Sequence, residues 1–342
     1  MVTLRLGKSF RSLFAENQLM CKINFIMKEM VINGIRVRPG QSLNIEIAIA
    51  RLPTHTLIDL PVFIRSSSTP GPTVLICGGV HGDEINGIVT VKRMLEENIF
   101  QPIKGTLIFI PLVNVYGFLS NSRTFPDGRD LNRSFPGNNK GSLASQIAQI
   151  LTNEIIPQID YGIDFHTGGR MLSNYPQIRV DFRDDKGLEL AEAFGANFTV
   201  NSMHIDKSFR KEAFKNNKHI LVFEGGESMR LDDQVIQEGI AGTGRLLKYL
   251  GMISGSYPLK KTHKIEESRW VRAKVSGIFN ASVSLGDEVK KGQMLAKISD
   301  PYGQVKVPIK ASASGFVIGI NNLPVVNAGD ALVHIGKSQS KI

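Results

Sequence analysis

The stretch from Thr73 to Gly87 most constrains what this chain can fold into. It opens with an apolar run, Thr73-Val74-Leu75-Ile76-Cys77, that reads as a buried strand. Gly78, Gly79 and Gly82 follow, and then a helical pattern sets Ile85, Ile88, Val91 and Leu95 on one face. The spacing predicts a strand over 73–77 and a helix over 84–98, joined by a sharp turn that the glycines permit. Open α/β sheets are built this way, and their ligands bind at the carboxyl ends of the strands. His81 and Glu84 fall at that end.

A histidine and a carboxylate three residues apart also occur on ordinary strand-to-helix turns, where the acid complements the positive helix start. A second segment shifts the balance. Tyr161-Gly162-Ile163-Asp164-Phe165-His166-Thr167-Gly168-Gly169 is again a short strand ending in a histidine and a glycine pair. Two such strand ends make His81, Glu84 and His166 a candidate metal site, and the set suits catalytic zinc with its open fourth position. Asp164 shares a strand face with His166, so it can accept the imidazole N–H or pair with a nearby arginine. A third buried strand, His219 to Phe223, ends in Glu224-Gly225-Gly226. Glu224 is the natural candidate for general base, with Glu227 as its rival.

The stretch 114–140 reads as a long loop rich in Asn, Gly, Pro, Arg and Asp, a length that is usually functional or disordered. At its centre Arg123, Asp127, Arg129, Asp130, Asn132 and Arg133 are interleaved with Phe125, Leu131 and Phe135. Such charges can simply pair with one another in solvent. The alternative is an anion-recognition loop near the metal, because arginine suits bidentate carboxylate binding.

At 342 residues the chain exceeds a usual single core, so two domains are expected. Residues 29–65 alternate in pieces as strands, and helices are expected over 142–156, 186–194, 208–216 and 232–250, the last capped by Asp232 and stopped by Gly251. Residues 252–264 form a Gly/Ser/Pro/Lys-rich linker, and 265–342 read as strands without a helix. The run 271–279 repeats as 309–317, and each copy is followed by an apolar-Gly-Asp turn, Leu285-Gly286-Asp287 and Ala328-Gly329-Asp330. Residues 1–28 are expected to be a poorly ordered tail.

Hydrophobic content of 42% and charged content of 21% describe a soluble globular protein. A net charge of +10 leans towards anionic small molecules, while the scattered Lys and Arg residues and the lack of any nucleic-acid motif exclude nucleic acid as the expected partner. No apolar run approaches the roughly 20 residues of a membrane span. Cys21 and Cys77 make no disulfide framework, which fits a reducing, cytoplasmic location. Homo-oligomerisation is left open.

Four motifs carry a resemblance: His81-Gly82-Asp83-Glu84, Asp130-Leu131-Asn132-Arg133-Ser134-Phe135-Pro136-Gly137, Asp164-Phe165-His166-Thr167-Gly168 and Phe223-Glu224-Gly225-Gly226. Their types and order resemble the succinylglutamate desuccinylase/aspartoacylase family, which is related to the zinc carboxypeptidases. The resemblance implies an α/β fold, a zinc-carboxypeptidase-like mixed sheet flanked by helices, over a hydrolase domain of residues 29–251. It implies one zinc per chain held by His81, Glu84 and His166, with Glu224 as general base and acid. Asn132 and Arg133 are implied as binders of a substrate carboxylate, and Arg123 as the arginine that polarises the carbonyl, with Arg129 as competitor. The implied activity is deacylation of an N-acyl amino acid, such as an N-acetyl or N-succinyl amino acid. A zinc carboxypeptidase acting on peptides and a non-catalytic binding or carrier protein are the alternatives.

The C-terminal repeat resembles the biotinyl/lipoyl carrier fold, a small all-β barrel-sandwich. Carriers place a modified lysine at the tip of the central hairpin. The corresponding tip, Ser299-Asp300-Pro301-Tyr302-Gly303, has no lysine, so a structural or access-controlling role is expected instead.

Overall fold

The computed structural model describes residues 29–338, and the expected N-terminal tail lies outside the described residues. Two short strands, β1 (Met30–Ile32) and β2 (Ile35–Val37), form a hairpin. β3 (Ser42–Arg51) and β4 (Leu57–Ser66) form another, and burial alternates along both, with Ile45, Ile47, Leu60 and Val62 turned inward. By contrast β5 (Thr73–Gly78), β6 (Thr106–Ile110) and β7 (Tyr161–Gly168) are buried along nearly their whole length. That is the pattern of parallel strands covered on both faces. β8 (Leu172–Val180), β9 (Phe198–Asn201) and β10 (His219–Glu227) follow.

Six helices accompany these strands among the described residues: α1 (Ile85–Glu96), α2 (Val115–Leu119), α3 (Leu143–Ile150), α4 (Asp185–Phe194), α5 (Phe209–Lys215) and α6 (Asp233–Tyr249). Period-two alternation divides β5 between two cores. Val74 and Ile76 join Val91 of α1, Leu190 of α4 and Val235 of α6 on one face. Leu75 and Cys77 join Ala144 and Ile147 of α3 and Phe209 of α5 on the other. The side chain of Asp232 accepts from the backbone N–H groups of Gln234 and Val235, the cap expected for α6.

The remaining strands are β11 (His263–Arg272), β12 (Gly277–Ala281), β13 (Glu288–Val289), β14 (Met294–Ser299), β15 (Lys306–Lys310), β16 (Gly315–Asn321), β17 (Val325–Val326) and β18 (Ala331–Ser338). β15, β14, β12 and β17 make a separate four-stranded sheet. Its Leu295 and Ile298 pack against Val317 of β16 and Val333 of β18. The sequence repeat is visible in the backbone, since Gly277 and Gly315 share φ values of 155° and 156°, and Gly286 and Gly329 share 87° and 93°.

The C-terminal strands do not stand apart from the main sheet. They extend it, in the order β3-β4-β6-β5-β7-β10-β8-β9-β11-β18-β16-β13. The expected linker ends inside that sheet, because β11 starts at His263 and pairs parallel with β9. β16 also pairs with the start of β8, Gly319 opposite Asn174 and Ile320 opposite Ser173. β8, β9, β11, β18 and β16 therefore close into a small ring around Phe198, Val200, Ile265 and Ile318.

Neither β8 nor β9 is expected from the sequence. Pro176 argues against a strand, and the structure accommodates it at a bulge where the register with β10 shifts. The helix expected over 142–156 is α-helical only to Ile150 and continues as a π turn over Leu151–Ile155. The loop over 114–140 is not structureless, for it holds α2 and a 3-10 turn at Leu131–Arg133.

Candidate active site

His81 and Glu84 lie on the turn between β5 and α1, and His166 near the end of the adjacent β7. Gly82 lets this turn form: a Cβ there would lie 2.0 Å from the carbonyl carbon of Gly117, so the backbone of α2 can approach only a glycine. The three side chains converge and are buried. His81 Nδ1 is 2.7 Å from Glu84 Oε1, His166 Nδ1 is 2.9 Å from Glu84 Oε2, and the two Nδ1 atoms are 3.2 Å apart. Each histidine turns its other nitrogen to a carboxylate. His166 Nε2 is 2.7 Å from Asp164 Oδ2, and His81 Nε2 is 3.2 Å from Asp130 Oδ1.

His81, Glu84 and His166 thus form a group able to hold a metal ion. Two imidazoles and one carboxylate are the donor chemistry of a catalytic zinc site. Bonds of about 2.0–2.1 Å to a tetrahedral ion place ligand atoms roughly 3.3 Å apart, and the Nδ1–Nδ1 separation of 3.2 Å matches that edge. The outward nitrogens on Asp164 and Asp130 fix ring orientation as metal-bound histidines require.

The charges of the metal-free cluster hold one another in place. Burial opposes protonation of both histidines, yet the facing carboxylates outweigh it. Glu84 and Asp130 raise the pKa of His81, and Asp164 and Glu84 raise that of His166 well above its usual value. Burial likewise opposes ionisation of Glu84, and the two histidines overcome it and hold its carboxyl well below the usual range.

These groups open into a cavity of about 290 Å³, which also reaches Arg123, Asn132, Arg133 and Glu224. Arg123 donates to Glu84 Oε1 at 3.2 Å and to Asp130 Oδ2 at 3.0 Å. Asn132 Oδ1 accepts from the N–H of Phe209, which ties the loop to the start of α5. Glu224 sits at the register position opposite His166 on β10.

Arg129 is not brought into the cavity. Its turn closes through the Phe125 N–H to the Arg129 carbonyl, and its side chain is 65% exposed beside Asp127. Of the two rival arginines, the structure sets Arg123 and not Arg129 beside Glu84. Glu227, the rival to Glu224, instead accepts from Asn322 at 2.6 Å, away from the histidines.

Four further cavity residues are missed by sequence reasoning: Asn174, Arg179, Arg210 and Trp270. Asn174 and Arg179 lie on the unexpected β8, although the alternation Gln177-Ile178-Arg179-Val180 carries a strand signal. Arg210 donates to the carbonyls of Arg179, Ser202 and Met203, and burial pushes its pKa down to about 10. Trp270, from β11, is stacked on His334 with ring centroids 4.6 Å apart.

Comparison with known proteins adds the family. Residues 70–250 match the succinylglutamate desuccinylase/aspartoacylase catalytic domain. The chain is 30% identical over 285 residues to an N-alpha-acetyl-L-2,4-diaminobutyric acid deacetylase of Halomonas elongata, covering 78% of this chain and 82% of that protein. Among solved structures, the succinylglutamate desuccinylase/aspartoacylase of Rhodobacter sphaeroides superposes with a TM-score of 0.79 at 24% identity, over 93% of this chain and all 100% of that one. The ectoine utilization protein EutE (DoeB) of Ruegeria pomeroyi gives 0.77 at 24% identity, over 88% and 96%. These structures share the mixed α/β fold. With a domain model matched across its His-Glu-His cluster and a 30% identical relative over most of its length, the chain belongs to the succinylglutamate desuccinylase/aspartoacylase family.

Proposed function

We propose that this protein is a zinc-dependent deacylase that hydrolyses the amide bond of a small N-acyl amino acid. The observation that carries the reading is the convergence of His81, Glu84 and His166 in one cavity with Glu224 and Arg123. His81, Glu84 and His166 would hold one zinc ion. A zinc ion there supplies Lewis acidity, lowering the pKa of water to about 7 and polarising a carbonyl.

The chain's own residues do the rest. Glu224 takes a proton from the attacking water and returns it to the leaving amine. Arg123, aimed by Asp130, donates to the oxygen on which negative charge develops. Asn132 and Arg133 hold the free carboxylate of the substrate, which favours an N-acyl amino acid over a long peptide. Trp270 supports the same preference, since a strand of the C-terminal region contributes to the wall of the cavity. The relative from Halomonas elongata, named as a deacetylase of an N-acetyl amino acid, supports amide deacylation.

We assign residues 29–251 to the hydrolase unit and 265–342 to a β unit of the biotinyl/lipoyl type. The exposed tip around Tyr302 has no lysine to modify, so that unit is structural or controls access. Among the described residues no helix is long and apolar enough to cross a membrane, and the expected site of action is the cytoplasm.

A panel of N-acetyl and N-succinyl amino acids, run with zinc against blocked and free peptides, tests the reading. Hydrolysis of at least one N-acyl amino acid and little or none of the peptides is expected. Peptide cleavage with no N-acyl amino acid turned over would contradict it.

A further inference from the structure

We infer that Asn174 is the positioning residue of Glu224, and that Gly319 of the C-terminal β16 holds Asn174 in place. The inference rests on the reading of Glu224 as general base.

Glu224 is contacted by two side chains of β8. Asn174 Nδ2 donates to Oε2 at 2.9 Å, and Arg179 lies 3.4 Å from Oε1. The nearer donor depends on an irregularity. Val222 pairs with Arg179 and Glu224 with Gln177, so a regular ladder would set Gly226 opposite Tyr175. Instead Gly226 pairs with Asn174, because β8 carries one extra residue at Tyr175-Pro176. A bulge of this kind turns the following side chain to the other face of the strand. It brings the Asn174 amide beside Glu224 and turns Tyr175 to the ring core, where it packs on Phe198. Pro176 has no N–H to lose at the break.

The other edge of Asn174 meets the C-terminal region. Asn174 is buried and pairs with Gly319, and a Cβ built on Gly319 would stand 3.1 Å from Asn174 Oδ1 and 3.2 Å from the Cβ of His334. A side chain at position 319 would therefore press on the amide, which would have to give by a few tenths of an ångström. Oε2 is held by the nearer donor, Asn174, while Oε1 faces only the more distant Arg179 and is the freer oxygen to take and return the proton. Through Asn174, the C-terminal strand thereby bears on how the Glu224 carboxylate is held.

The test uses the full-length zinc-loaded protein and the N-acyl amino acid that it turns over best. Asn174→Ala should lower kcat about ten- to hundredfold, the range for a hydrogen bond to a charged group, while KM and zinc content stay within about twofold. Gly319→Ala should lower kcat in the same direction with both partners intact. In a Glu224→Gln background the loss of Asn174 should cost little more, because the two act as a unit. A crystal structure of Asn174→Ala should show the Glu224 carboxylate displaced. Unchanged kcat in Asn174→Ala overturns the inference, as does a loss that tracks falling zinc content or melting temperature. If Asn174→Ala does not fold, Asn174→Leu, of similar volume but without the donor, and Gly319→Ala are judged by the same split. Full activity in Glu224→Gln would instead remove the reading of Glu224 itself. An inactive Glu224→Gln beside a fully active Asn174→Ala would remove only the role of Asn174.

Discussion

His81 and His166 face each other through the same ring atom, their Nδ1 nitrogens 3.2 Å apart with one Glu84 oxygen beside each. Their Nε2 atoms are both turned to carboxylates, so the inward pair is free to share an ion. Each relationship in the site has a consequence that can be measured.

Zinc affinity should fall on acidification. Burial alone would lower both histidine pKa values, but the facing carboxylates raise them, that of His166 well above the usual 6.5. Binding of the metal must displace those protons, so affinity should drop about ten- to hundredfold per pH unit below the raised values, for one or two protons released. In the metal-free protein the same shifts give stability that is full below the unfolded histidine pKa and is lost as pH climbs through the folded values. A chelator-competition titration across neutral pH checks the first statement, and a flat profile would count against the cluster as the zinc site.

Asp164→Ala should weaken zinc binding by about ten- to hundredfold while the fold survives, the usual cost of removing a partner behind a ligating histidine. Asp164 touches His166 through Nε2 alone, at 2.7 Å, and its other oxygen faces the Cys77 thiol. Zinc titration of the variant beside its melting curve measures this. Unchanged affinity would mean that packing alone orients His166.

The two loop arginines should fail in different ways. Arg133→Ala should raise KM with kcat little changed, because its proposed partner is a carboxylate that does not react. Arg123→Ala should lower kcat by about 10²–10³, the range for loss of one oxyanion donor. Steady-state kinetics of the two variants separate the roles. Parallel unfolding of both would make the arginines structural, with Arg123 serving only to bind Glu84 and Asp130.

Much of this site is legible in the sequence for a simple reason. His81, Glu84, His166 and Glu224 sit where buried strands end, and apolar runs followed by glycines mark strand ends without any tertiary knowledge. Arg129 could not be told from Arg123 in this way, since six residues of loop carry no period that says which side chain turns inward. Asn174 and Arg179 were hidden for a different reason. β8 contains Asn174 and Pro176, which local propensity counts against a strand, and the bulge that reconciles them is set by pairing with β10 and β16. The joining of β11 to β9 is equally non-local: the composition change after Gly251 marks a boundary in the chain, while the hydrogen bonds run straight across it.

The most direct measurement is the kinetics and zinc content of Glu224→Gln. The substitution keeps the shape and the donor contact to Asn174 can be re-made by the amide oxygen, so fold and zinc should be retained and KM little changed. Turnover should fall by about 10²–10⁴, the contribution of general acid–base catalysis. Full activity would contradict the account outright, and loss of zinc would make Glu224 a ligand and the three-residue site wrong.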